Sequence, residues 1–153
     1  MAPYETGNDT TAQKPNLKKV IADVTSSGED FSSPLHRGQY ESVAANFLFH
    51  CLHGSNMLDK FQSFQNCASL LSKDGVFIGS TILGKEMLLD AERAGKTPVK
   101  VLHTYNDWGI FGNLGDSFED LENVLKDLFC EVELKRVGYC GVWKARGPKQ
   151  TKV

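Results

Sequence analysis

Long apolar runs are missing from this 153-residue sequence, and so is a surplus of charge of either sign. No stretch approaches the ~18 apolar residues of a membrane span, so a membrane partner is not expected. The 17 Lys+Arg against 19 Asp+Glu give a formal net charge of −2. That leaves no polycationic face for nucleic acid. Cysteine is scarce: Cys51, Cys67, Cys130 and Cys140 are the only four, and no two have the close spacing of a zinc site or a dithiol motif. They are expected as reduced, mostly buried thiols of a cytoplasmic protein, with Cys51 and Cys67 on apolar faces. His50, Cys51 and His53 lie near one another but lack a partner elsewhere in the sequence, so no metal is expected. Internal repeats, a nucleophile elbow, a P-loop and a paired-carboxylate signature are all absent. Met1 to Pro15 has no basic-then-apolar run of the signal-peptide kind.

What remains is the composition of one α/β domain, long enough to bury a single core. Residues 1–16 are polar and read as a disordered arm, 17–146 as the domain, and 147–153 as a basic polar tail. A short β-type run covers Lys18 to Val24. Ser42 to Phe49 is apolar on both faces apart from Asn46, which predicts a strand covered on both sides. His50 to Ser55 forms its exit loop. Met57, Phe61, Phe64, Ala68 and Leu71 recur at helical spacing, with Ser55 or Asn56 as the cap and Lys73-Asp74-Gly75 as the terminating turn.

Val76 to Leu83 is the third strand, and Lys85 to Ala94 a second helix. Residues 96–116 contain Pro98, His103, Tyr105, Trp108 and several glycines, and read as an irregular functional segment. Ser117 caps a helix whose buried stripe is Phe118, Leu121, Leu125 and Leu128. Glu131 to Val137 and Tyr139 to Ala145 are joined near Gly138 by too few residues for a crossover, so they must be antiparallel. The expected architecture is a mostly parallel sheet closed by that hairpin.

Lys73-Asp74-Gly75-Val76-Phe77-Ile78-Gly79-Ser80-Thr81 resembles the turn and fifth strand of Rossmann-like S-adenosylmethionine-dependent methyltransferases. Ser42 to Leu52 resembles their fourth strand and its exit, and the closing helix and hairpin their sixth and reversed seventh strands. Asn106-Asp107-Trp108-Gly109-Ile110-Phe111-Gly112-Asn113, followed by Asp116, is similar to a loop of a small-molecule subgroup common in microbial secondary metabolism. The likeness implies a truncated, C-terminal portion of such a fold. The first two strands and the Gly-rich turn that lets backbone approach the methionine end of the cofactor are not in it. Val20 to Val24 resembles the family's third strand. The late run Gly109 to Gly115 lacks a strand-to-helix setting and reads as loop punctuation.

The resemblance further implies that Ser42 to Phe49 is left as an open sheet edge. The chain is then expected to pair with itself as a homo-dimer, or to form a hetero-oligomer with a methyltransferase-like chain. A rearranged sheet, with Val20 to Val24 moved beside that strand, is the other escape. Asp23, with Val24, matches the family position near the adenine; a plain strand-end loop acid is the alternative. Asn46 either holds a turn or touches cofactor. His50 stands where the sheet's carboxyl ends open onto a crevice and is read as a general base or as a packing histidine. His103 is a second candidate base or a lid residue, and Tyr105 and Trp108 are candidate substrate contacts or loop anchors. The implied activity is methyl transfer from S-adenosylmethionine to a small organic substrate, with the cofactor bound weakly or only alongside a partner chain. A non-catalytic partner subunit of a full-length methyltransferase, or a cofactor-independent isomerase or cyclase, are the other readings.

Overall fold

The computed structural model describes residues 19–27, 30–31, 35 and 37–149. The expected arm at 1–16 and the end of the tail, 150–153, lie outside the described residues. Four strands form one sheet: β1 (Tyr40–Asn46), β2 (Leu71–Ile82), β3 (Phe129–Val137) and β4 (Cys140–Pro148). Their spatial order is β1-β2-β4-β3. β1 runs parallel to β2, whereas β4 is antiparallel to both β2 and β3. Three strands therefore share one direction. The reversed strand lies inside the sheet rather than at its margin, because the two-residue connection at Gly138 and Tyr139 folds it back between β3 and β2. β4 runs through Pro148, and the Lys149 amide donates to the Leu128 carbonyl, so regular structure continues beyond position 146.

The helices are α1 (Phe61–Leu70), α2 (Gly84–Leu89), α3 (Ala91–Ala94), α4 (Lys96–Asp107) and α5 (Phe118–Leu128). Asn56 caps the approach to α1: its side-chain oxygen accepts from the amides of Leu58 and Asp59, while the Asp59 carboxylate accepts from the Ser55 amide. Ser117 caps α5 through the Asp120 amide, as its sequence predicts. The expected apolar stripes hold. Phe64 and Ala68 of α1, with Met57 before it and Leu71 at the start of β2, and Leu121, Val124, Leu125 and Leu128 of α5 share a core with Ala45, Phe77, Trp143 and Ala145 of the sheet.

That core covers one face of the sheet only. Ala44, Ile78 and Lys144 stand side by side on the other face, where Ala44, Ile78 and the neighbouring Val142 are exposed. The expectation that β1 is covered on both sides is thus corrected: among the described residues β1 is open on one face and pairs only with β2.

Three further expectations change. Residues 19–23 are not a strand, and Val24 begins a turn. The segment is instead pinned by Asn66 of α1, whose amide donates to the carbonyls of Val24 and Ser26. Lys73-Asp74-Gly75 does not end a helix. α1 stops at Leu70, and these residues form an irregularity in β2 where its register against β1 jumps from Tyr40–Leu71 to Ser42–Val76. Within 96–116, Lys96–Asp107 is helical; Pro98 sits in its first turn, where an amide needs no intrahelical acceptor. The second helix is broken at Asp90 into α2 and α3. Of the cysteines, all free, only Cys67 is buried, and Cys51 and Cys130 are exposed.

Candidate functional site at the carboxyl end of β1

β1 ends at Asn46, and the next residue sets the site. Phe47 adopts φ 54°, a left-handed conformation unusual for an aromatic residue. Its amide donates to the Ser80 carbonyl at 2.8 Å. A single 3₁₀ turn, Phe49–Cys51, follows. It sends Phe49 into the core, stacked on Phe64 with centroids 3.7 Å apart, and buries His50 between Phe47 and Phe111. The His50 ring meets both edge-on, at 5.9 Å and 4.7 Å between centroids. Its Nδ1 is buried and has no hydrogen-bond partner. Burial first, and the nearby Lys60 ammonium second, push the imidazolium pKa down to about 4, so the ring is neutral near pH 7. A neutral imidazole whose conjugate acid is this acidic serves better as a hydrogen-bonding group than as a proton store.

The segment after α4 is held over this turn by backbone contact. The Gly112 amide donates to the His50 carbonyl at 2.9 Å. A Cβ at Gly112 would strike the Leu52 carbonyl oxygen, and one at Gly115 the Ser55 carbonyl oxygen. The late glycines are therefore a close-packing device. Asn113, fully buried, accepts from the Asn106 side-chain amide and donates to the Ile82 carbonyl, and its own amide donates to Asn106 Oδ1. Below it, Lys60 Nζ donates to Asp116 Oδ2 at 2.6 Å, with both side chains shut off from solvent. Burial pushes the Asp116 carboxyl up to about 6 against the opposing pull of Lys60, and burial lowers the Lys60 pKa.

The remaining candidates are distributed unevenly. Tyr105 and Trp108 join the same wall: Tyr105 meets Phe111 edge-on at 5.0 Å and stacks on Trp108 at 6.2 Å. His103 is exposed on α4, and no described ring contact joins it to His50. His53 is likewise exposed. Asn46, expected as a buried amide, is exposed at the end of β1, and its Oδ1 accepts a 3.3 Å bond from Ser80 Oγ. Asp23 is exposed in a turn where its carboxylate accepts from the amide and hydroxyl of Thr25, which lowers its pKa. Val24 is half-buried, with its carbonyl taken by Asn66. Sequence reasoning passed over Lys60, and placed Asn113 and Asp116 in the resembling loop without assigning either a role. Lys60 carried a signal: it falls three residues after Met57, on the buried face of an otherwise apolar stripe.

These residues do not by themselves seat a nucleoside-containing cofactor. The close-packing glycines are filled by the chain's own carbonyls, and Asp23 Oδ1 and the Val24 carbonyl already have partners. Among the described residues, no three His, Cys, Asp or Glu gather as a metal site, and no helix is long and apolar enough to cross a membrane.

No protein-family model matches the sequence. The chain is 36% identical over 121 residues to the uncharacterized protein YbcY of Escherichia coli K12, covering 79% of this chain and 59% of that one. It is 34% identical over 111 residues to the N-methyltransferase vrtF of Penicillium aethiopicum, covering 72% and 44%. In structure it is similar to an O-methyltransferase family protein from Burkholderia thailandensis, with a TM-score of 0.56 at 14% identity over 84% of this chain and 35% of that one. The chain spans about half the length of the curated relatives it matches. With its strand order, its reversed β4 and its open β1, the chain carries an S-adenosylmethionine-dependent methyltransferase fold, Rossmann-like and incomplete relative to those longer proteins.

Proposed function

We propose that this chain supplies the acceptor side of a site that methylates a small organic molecule with S-adenosylmethionine, and that strands added along the outer edge of β1 supply the donor side. One observation carries the reading. Among the described residues β1 is open along its outer edge and on one face, and the aromatic cluster around His50 lies at its carboxyl end, where open α/β sheets hold ligands. Donor chemistry, an already activated methyl group, comes with the cofactor when it is bound. This chain's residues place the acceptor: Tyr105 and Trp108 contact it, neutral His50 hydrogen-bonds it, and Asn46 borders the cofactor from the end of β1. Asp23 and Val24 reach the cofactor only if the turn that now engages them is rearranged by the added strands. His103 serves as the exposed proton acceptor. The completing strands belong to a second methyltransferase-like chain or to a second copy of this one.

Calorimetric titration of S-adenosylmethionine into the purified chain tests the reading. Binding no tighter than roughly millimolar is expected, since most cofactor contacts lie in the added strands. Micromolar affinity in the isolated chain overturns it. A second reading, a non-catalytic subunit that stabilises a full-length methyltransferase, draws on the burial of His50 and the sealing of its ring between Phe47 and Phe111. Activity of the assembled enzyme that is indifferent to His50→Ala, His103→Ala and Tyr105→Phe selects that second reading.

A further inference from the structure

The turn between β3 and β4 and the break between α2 and α3 border an open cavity of about 340 Å³, lined by Asp90, Arg93, Arg136, Gly138 and Tyr139. That is the small end of ligand pockets, which run from about 300 to 1,000 Å³. None of these residues belongs to the ring cluster around His50. The charges of the cavity are unevenly engaged. The Tyr139 hydroxyl donates to Asp90 Oδ2 at 3.0 Å. Partial desolvation first, and that bond second, hold the phenol above its ordinary pKa, so it remains a donor near pH 7. Glu86 accepts from the Phe118 amide with one oxygen and from Arg136 Nη1 with the other. The second contact is 3.3 Å, longer than the ~2.7–2.9 Å of a well-made charge-assisted bond. Arg93 follows Asp90 by three residues, a spacing at which helical side chains can meet. Yet among the described residues no carboxylate lies within ion-pair distance of its guanidinium.

We propose that this cavity is a binding site for a small molecule bearing an oxyanion, a carboxylate or a phosphate group, held by the guanidiniums of Arg93 and Arg136. Donors outnumber acceptors there. A guanidinium carries five N–H groups and accepts nothing. Arg136 spends one of them on a described side chain and Arg93 none. The one carboxylate lining the cavity is Asp90, and Tyr139 already engages one of its oxygens. A guest that satisfies the free donors must bring oxygens and negative charge, and planar guanidinium forks match the oxygen pairs of a carboxylate or phosphate. Tyr139 has a separate part. By holding Asp90 it keeps that carboxylate off Arg93 and leaves the guanidinium for the guest. Both arginines are exposed, so water and salt screen them, and the affinity is about millimolar. Nothing in this site depends on methyl transfer.

The test is protein-observed NMR of the full chain titrated with inorganic phosphate and, separately, with acetate, the ionic strength being held constant with chloride. Saturable shifts of the Gly138 and Tyr139 amides at about millimolar concentration are expected. The anion that binds tighter identifies the group as phosphate or carboxylate. Arg93→Gln and Arg136→Gln should each weaken binding about tenfold. Arg136→Lys, which keeps the charge and loses the fork, should weaken it as well. Lys126→Gln removes an exposed charge from α5 and should leave binding unchanged. Tyr139→Phe frees Asp90 to compete for Arg93 and should weaken binding, and Asp90→Asn in that background should restore it. No saturable shift with either anion, shifts that chloride alone reproduces, or wild-type affinity in both arginine-to-glutamine variants overturns the proposal.

Discussion

Lys60 Nζ and Asp116 Oδ2 lie 2.6 Å apart with neither side chain touching solvent, joining the approach to α1 to the loop that covers His50. A buried ion pair is a poor source of net stability, because both ions have lost their hydration. Breaking it from one side is another matter. Lys60→Met leaves the Asp116 carboxylate in the interior without its ammonium partner, and its Oδ1 already lacks a hydrogen bond. The expected loss is about 3–5 kcal/mol in urea denaturation, with the double variant Lys60→Met/Asp116→Leu recovering most of it. A single variant as stable as the wild type would mean that water reaches the pair.

His50 and Asp116 should drive stability in opposite directions over one range of pH. Folding lowers the His50 pKa from 6.5 to about 4, so the unfolded chain takes up a proton first as the solution is acidified. Its contribution is complete above pH 6.5 and is lost as pH falls toward 4. Folding raises Asp116 from 3.8 to about 6, with Lys60, Asp120 and Asp59 as its charged neighbours. Its contribution is present below pH 3.8 and is lost as pH rises through about 6. Relative to wild type, His50→Gln should therefore lose the acid-side decline, and Asp116→Asn should lose the decline on raising pH. Each difference has a slope of at most about 1.4 kcal/mol per pH unit. Denaturation curves at constant ionic strength check this. Two variants that keep the wild-type pH profile would contradict both assignments.

The glycines after α4 separate close packing from backbone freedom. Gly112→Ala and Gly115→Ala each drive a methyl group into a backbone carbonyl of the 52–55 segment, which cannot move as a side-chain tip can. Each should cost at least about 1–3 kcal/mol and lower the melting temperature. Gly109 has φ 68° and nothing within 4 Å of a Cβ, so Gly109→Ala meets only the left-handed penalty of about 1–2 kcal/mol. Hydrogen exchange at His50 to Ser55 should rise in the first two variants and stay unchanged in the third.

The helical stripes were legible because burial on one face imposes a 3.6-residue period, as Met57, Phe64 and Ala68 show. The hairpin was legible because its connection is too short for anything else. Val20 to Val24 misled because β-type composition says only that a segment suits a sheet, while the sheet neighbour it needs is not part of the described fold. Pro98 misled because proline breaks a helix only beyond its first turn. The site was half legible. His50, Tyr105 and Trp108 do come together in one chain of ring contacts through Phe111, whereas His103 makes no described ring contact with it and Asp23 caps its own turn. The Lys60–Asp116 pair joins residues 56 positions apart, a distance across which neither periodicity nor local motif carries information.

The uncovered edge of the sheet gives the last prediction. Ala44, Ile78 and the neighbouring Val142 make an apolar patch on the open face, and β1 beside them has, among the described residues, no strand partner on its outer side. Such an edge pairs with whatever strand it meets, and in the purified chain it meets its own copies. Sedimentation velocity should show association that grows with concentration. Ala44→Lys places a charge on the open face next to the edge without touching the core, so folding stability should change by no more than about 0.5 kcal/mol. The association should nevertheless collapse, because pairing two edges brings their lysines together in a partly dry interface. Glu41→Lys, at the start of the same strand, reverses a charge at the border and should weaken pairing less. A wild-type chain that stays monomeric at every concentration, with exchange-protected amides along both sides of β1, would show the strand already covered by the chain's own residues, and the need for added strands would vanish with it.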